Sequence, residues 1–168
     1  MSRRTFFNYF PTKESAVLGV DPDWDAAFLE RFRAIPEHDR LGPLDDLASL
    51  TVDAFAEMSP TRDEARTMIA AVRREPRILA AFIEQDRAQE QRLAEAIVER
   101  DGLDPLAARM VAVLLGAIVR STAQELFEGD ADLAGFAERL RAHVDAARAA
   151  LAVSPATDRT AIIRTKDA

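Results

Sequence analysis

Ser2, Arg3, Arg4 and Thr5 stand together at the head of a short run that ends in Pro11-Thr12-Lys13. Hydroxyls and guanidiniums at the start of a helix suit phosphate, because unpaired N–H groups and the helix dipole already favour an anion there. Arginine can also read a guanine edge through two parallel hydrogen bonds, and threonine can meet a base edge or a methyl. Phe6 and Phe10 are four apart and share a face that can seat the helix on a core, while Phe7 and Tyr9 lie off that face. Thr12 can cap the next helix, which leaves Lys13 in its first turn, well placed for a backbone phosphate. Residues 1–13 hold three basic groups and no acid, whereas the whole chain has 22 basic residues against 29 acidic ones, a net charge of −7. A basic end on an acidic body suits presentation to a polyanion. A solvated terminus is the plain alternative.

The middle of the chain offers a second set of groups. Trp24, Phe28, Phe32, Phe55, Met58, Met68 and Phe82, with Leu114 beyond them, are the side chains that line adaptable apolar pockets. They are equally the material of a plain core. Over 76–100 an apolar stripe through Leu79, Phe82, Ile83, Leu93 and Ile97 is interrupted by Asp86, Gln89 and Glu90. Arg120 lies in an otherwise apolar reach. A polar group on a buried stripe needs a partner. One reading is a polar end to a ligand tunnel; the other is a helix emerging into water, with Arg120 reaching a carboxylate. The expected pocket, between 22–35, 43–75 and the two long helices, is lined in part by Trp24, Phe28, Phe55, Met58, Met68, Phe82, Leu114 and Arg120.

Catalytic and metal chemistry find little material. Cysteine is absent and the two histidines, His38 and His143, are far apart. Asp45-Asp46 and the pair Asp86 with Glu90 are paired carboxylates, but no Glu-x-x-His accompanies them. No glycine-rich phosphate loop, nucleophile elbow or zinc motif is present. The expectation is no enzyme, no metal and no cofactor.

These groups must be positioned by helices. A chain of 168 residues, 48% apolar and 30% charged, has globular composition, and its length can bury roughly 70% of the unfolded surface. Breakers fall at helix boundaries: Asp21-Pro22, Gly42-Pro43, Thr61 with Glu64 at capping-box spacing, Pro76, Gly102, Asp104-Pro105 and Gly129-Asp130. β-Branched residues follow helical spacing, with no alternating strand pattern. The pattern predicts an all-α fold with helices over 2–9, 12–19, 22–35, 43–58, 61–75, 76–100, 105–128 and 131–152. Residues 20–153 read as a helical body and 154–168 as a frayed tail, and 1–19 stand apart as the segment that the resemblance given below implies to be the remnant of a DNA-binding head. No apolar run approaches the roughly 18 residues a membrane span needs, and no signal-peptide pattern opens the chain. That predicts a cytoplasmic protein with no membrane partner.

Two segments predict a homodimer. Over 131–152, Leu133, Phe136, Leu140, Val144, Ala147 and Leu151 step by threes and fours, a narrow stripe of coiled-coil type. Segment 105–128 is apolar nearly all round, with Ala112, Gly116 and Ala117 allowing close approach. Such a helix is either central in the monomer or covered on one face by a second subunit. The expected seam is Val119, Phe136, Leu140, Val144 and Leu151.

The run Arg3-Arg4-Thr5-Phe6-Phe7-Asn8-Tyr9-Phe10-Pro11-Thr12-Lys13-Glu14 resembles the recognition helix and following helix start of the TetR-like one-component transcriptional repressors. It is most similar to the branch related to the mycofactocin regulator. The resemblance covers residues 2–19; beyond them the helix count and lengths are compatible. It implies an all-helical dimer with a helix-turn-helix head, a ligand-binding body and a four-helix seam built from the last two long helices. On the matching positions, Ser2, Arg3, Arg4 and Thr5 would face bases or nearby phosphates, Tyr9 would approach the backbone and Lys13 would contact phosphate. Phe7 stands where a tyrosine is usual, so its hydroxyl contact would be missing. The branch implies an acyl-type ligand, a fatty acid or acyl-CoA, whose anionic end Arg120 would meet. Family members carry two more helices before this point, so the resemblance implies a chain cut within its head, whether by a mis-assigned start, a true truncation or a deliberate cut. A recognition helix without that platform would lack specific DNA binding. The alternative expectation is a helical dimerisation module with no small-molecule ligand.

Overall fold

The computed structural model describes residues 22–58, 61–128 and 135–152. They form six α-helices and one short 3-10 turn, and no strand occurs among them. The helices are α1 (Pro22–Ala34), α2 (Pro43–Met58), α3 (Arg62–Arg74), α4 (Pro76–Asp101), α5 (Pro105–Glu128) and α6 (Phe136–Ala152). The turn Glu37–Asp39 lies between α1 and α2. The fold is all-α, as expected. The segments 2–9 and 12–19, the first residues of 131–152 and the tail 154–168 lie outside the described residues.

Local chemistry sets the boundaries. Four helices open on proline, whose missing N–H costs nothing in a first turn and whose φ is already helical. Asp104 caps α5, its Oδ1 accepting from the N–H groups of Leu106 at 2.9 Å and Ala107 at 3.4 Å. Gly102 ends α4 in the left-handed region at φ 66°, with its N–H bonded to the Val98 carbonyl. Thr61 and Glu64 form a full capping box before α3.

The Glu64 carboxyl is held below the usual range, first by the Thr61 N–H and then by the Thr61 hydroxyl. A depressed carboxylate supports the fold above its unfolded pKa, and that support is lost as pH falls through the folded value. The first turn of α3 is therefore expected to loosen on acidification through the carboxylate range. A Glu64→Gln variant should remove this pH dependence while keeping a side-chain acceptor. An NMR titration of the Thr61 amide that is identical in both proteins would contradict it.

α4 and α5 form a close hairpin at the centre. α6 packs on α5 and α2, α1 on α2 and α4, and α3 on α4 with a lighter contact to α5. Phe32, Leu47, Ile97, Leu126 and Leu140 are fully buried among them. A buried cation ties three helices together. The Arg100 side chain is 2% exposed and donates to Asp46 at 2.8 Å, to Asp101 at 3.0 Å and to the Phe32 carbonyl at 3.2 Å. Its guanidinium also lies 3.6 Å from the Phe32 ring centroid. Asp46, 4% exposed, uses its other oxygen to accept from the Leu41 N–H.

Two expectations need correction. The stripe on α6 is not an outer seam: Phe136, Leu140 and Val144 are buried inside the protomer itself, against α5 and α2. A stripe of threes and fours says that a helix packs, not against which partner. The outward apolar stripe belongs instead to α5, through Leu106 (67% exposed), Met110 (51% exposed), half-buried Val113 and exposed Ala117. The other correction concerns apolar length. Pro105–Leu126 is long and apolar enough, by length and composition alone, to cross a membrane. Arg109 and Arg120 interrupt that stretch, and its inner face is packed in the core through Ala108, Ala112, Leu115 and Ile118.

Candidate functional site

α1 to α5, with Phe136 at the head of α6, line a cavity of about 930 Å³ that is open to solvent on one side. That is near the top of the usual range for small-molecule sites, roughly 300–1,000 Å³. α2 contributes Thr51, Ala54, Phe55 and Met58, and α4 contributes Phe82, Asp86, Gln89, Glu90 and Leu93. α5 contributes a run of small and apolar groups, Ala112, Leu115, Gly116, Val119 and Ala123, together with Arg120. α3 closes the space with Arg66, Met68, Ile69, Ala70, Val72, Arg73 and Arg74.

The walls are mainly aromatic and aliphatic. Phe28, Phe55, Phe82 and Phe136 all reach the cavity, and Phe55 stacks on Phe136 with ring centroids 3.9 Å apart and planes 14° from parallel. Polar groups gather where α4 faces α5. Arg120 Nη1 donates to Asp86 Oδ2 at 2.6 Å. Gly116 leaves room for it: a Cβ there would lie 3.1 Å from Arg120 Nη1, a tight contact, and 3.6 Å from Glu90 Oε1, an ordinary one. The guanidinium therefore folds back over the glycine one turn before it.

Of the residues expected in a pocket, Phe28, Phe55, Met58, Met68, Phe82 and Arg120 line this one cavity. Leu114 does not; it is half-buried and packs against the core, while its neighbour Leu115 faces the space. One residue is about 100° on a helix, enough to move a side chain off a wall. Trp24 belongs to α1, but its side chain lies outside the described residues. Val119 and Phe136, expected at a dimer seam, line the cavity instead. Leu151 is 74% exposed near the end of α6. Ser2, Arg3, Arg4, Thr5, Phe7, Tyr9 and Lys13 lie outside the described residues.

Sequence reasoning missed most of α3's contribution. The signal was present in the spacing of Arg66, Ile69, Ala70 and Arg73, which share one helix face. It is weak because the face mixes charge with small apolar groups. The small wall residues Ala54 and Ala123 left no signal that distinguishes a wall from a packed helix.

A second polar cluster lies between α5 and α6. His143 Nδ1 is 2.8 Å from Thr122 Oγ1, and its Nε2 is 3.0 Å from Glu125 Oε1. The order hydroxyl, imidazole, carboxylate is that of a catalytic triad. Thr122 is fully buried and its hydroxyl bonds the Ile118 carbonyl at 2.9 Å, so nothing can approach Oγ1. The cluster joins two helices. Compared with the profiles of known protein families and with curated proteins, the chain matches none.

Proposed function

We propose that this chain is the ligand-sensing and dimerising body of a DNA-binding transcriptional regulator, a repressor of TetR-like type acting in the cytoplasm. The observation that carries the reading is the cavity of about 930 Å³ walled by phenylalanines and aliphatic groups. A concave space of this size among aromatic and aliphatic walls supports a role in binding an apolar small molecule. The resemblance of residues 2–19 to a recognition helix supplies the DNA partner, with Ser2, Arg3, Arg4, Thr5, Tyr9 and Lys13 as the contacting groups. In a dimer, filling the cavity would shift the spacing of two such heads. The outer stripe of α5, from Leu106 to Ala117, supports a homodimer and takes the place of the α6 seam. The 168-residue chain itself would bind DNA weakly and in a salt-sensitive way, because its acidic body repels the duplex. A salt-resistant footprint made by the chain would overturn that part.

The cavity is tested by thermal unfolding with dodecanol, kept below its solubility limit. A ligand at about 100 times its Kd stabilises by about 2.7 kcal/mol, which for a domain of this size raises Tm by roughly 5–10 °C. Ala123→Trp, which fills the wall between α5 and α3, should abolish the shift. An unmoved Tm for the parent chain with dodecanol and with hydrophobic dyes would leave a helical dimerisation module without a small-molecule ligand.

A further inference from the structure

The charges around the cavity fall into two groups that differ in exposure. Arg66, Arg73 and Arg74 of α3 are exposed to solvent, where water and salt screen them. Asp86 and Glu90 of α4 are half-buried, one turn apart, on the wall that α4 and α5 build together. Between them stands one guanidinium, Arg120, which bonds Asp86 at 2.6 Å. Glu90 forms no ion pair among the described residues. The wall of α4 and α5 therefore holds two half-buried carboxylates for one cation, Arg120, which is itself exposed, and the charge of Glu90 is left unmatched where it is only partly screened. The rest of the wall points the same way. Four phenylalanine rings reach the space, and the face of an aromatic ring attracts a cation and not an anion.

We infer that the cavity takes a lipophilic cation: an apolar body among the phenylalanines, with an ammonium or amidinium group held by Glu90 beside the Asp86–Arg120 pair. This rests on the ligand-sensing reading above and adds the charge class of the ligand and the side chain that recognises it. It also reassigns Arg120. Asp86 already offsets the charge of Arg120, so an incoming carboxylate that took the remaining N–H groups of Arg120 would face both Asp86 and Glu90 at close range. An ammonium displaces nothing and completes the second pair. Gly116 lies beside both groups, and its missing side chain gives the Arg120 guanidinium room to lie over it.

Three probes with the same tail separate the possibilities: dodecylammonium and dodecanoate below their critical micelle concentrations and dodecanol below its solubility limit, each titrated calorimetrically against the full chain. Dodecylammonium is expected to bind on the order of tenfold more tightly than dodecanol, and dodecanoate more weakly than either. Glu90→Gln keeps the shape and removes the charge, so it should bring dodecylammonium down to the dodecanol level and leave dodecanol unchanged. Arg66→Gln with Arg74→Gln, both at exposed positions, should leave the order of the three probes as it is. Equal binding of dodecylammonium and dodecanol would overturn the charge assignment and leave the cavity reading intact. Tightest binding of dodecanoate would overturn it too, and loss of that preference in the double arginine variant would place the anion on α3. If none of the three binds, the ligand-sensing reading falls and this inference falls with it.

Discussion

Asp46→Ala is expected to lower the stability of the protomer by about 3 kcal/mol, toward the lower end of what breaking a buried ion pair costs. Asp46 accepts from Arg100 and from the Leu41 N–H in a place with almost no water. Without it, a guanidinium only 2% exposed keeps Asp101 and the Phe32 carbonyl but loses its partner on α2. The Leu41 N–H loses its acceptor as well. Arg100→Met should cost at least as much as Asp46→Ala, because it leaves the Asp46 and Asp101 carboxylates without their cation and the Phe32 carbonyl without its donor. Urea unfolding checks both. The midpoint should fall with an unchanged slope, and a loss under about 1 kcal/mol for Asp46→Ala would mean that this junction does not hold α1, α2 and α4 together.

Leu140→Asp is expected to unfold the chain and not merely to separate subunits. Leu140 is fully buried in the protomer's own core, and an unpaired carboxylate there has no partner to offset its lost hydration. The loss should be several kcal/mol, a large part of a typical domain's stability of about 5–15 kcal/mol. Met110→Asp makes the contrast. Met110 is on the outer stripe of α5 and half exposed in the protomer, so a charge there stays hydrated when the chain is alone. That variant should keep its helical circular dichroism and sediment as a monomer at concentrations where the parent chain is a dimer. A folded, dimeric Leu140→Asp protein would contradict the packing of α6. A dimeric Met110→Asp protein would move the seam elsewhere.

The starts of α2 to α5 and the stop of α4 were legible because they are written in single residues. Proline at the first position, threonine with glutamate three on, and glycine past the last turn act through local geometry, and Pro43, Pro76, Pro105, Thr61, Glu64 and Gly102 each act where expected. Which way a helix faces was less legible. Leu114 and Leu115 are chemically identical, and only the neighbours of α5 decide which one meets the cavity. The α6 stripe was read correctly as packed, yet its partner is α5 and α2 of the same chain, a fact of tertiary arrangement that periodicity cannot contain. Arg120 drew attention as a cation in an apolar reach. Its partner Asp86 lies 34 residues earlier, and the pairing depends on the α4–α5 register and on the space over Gly116. Arg100 gave no warning. A single arginine in a last turn normally serves the helix dipole, and nothing local shows that Phe32 and Asp46 will close over it.

Every described side chain of α3 is partly or wholly exposed, although this helix supplies seven residues to the cavity wall. Its capping box fixes where it begins, but no buried anchor fixes it to the hairpin of α4 and α5. In folding terms α3 is a separate cooperative unit, coupled to the rest mainly through the volume it encloses. Its amide hydrogens should exchange with solvent well before those of α4 and α5, whose bonds open only in global unfolding. An apolar molecule in the cavity would give α3 the core it otherwise lacks, so the exchange rate of a single helix would report how full the protein is.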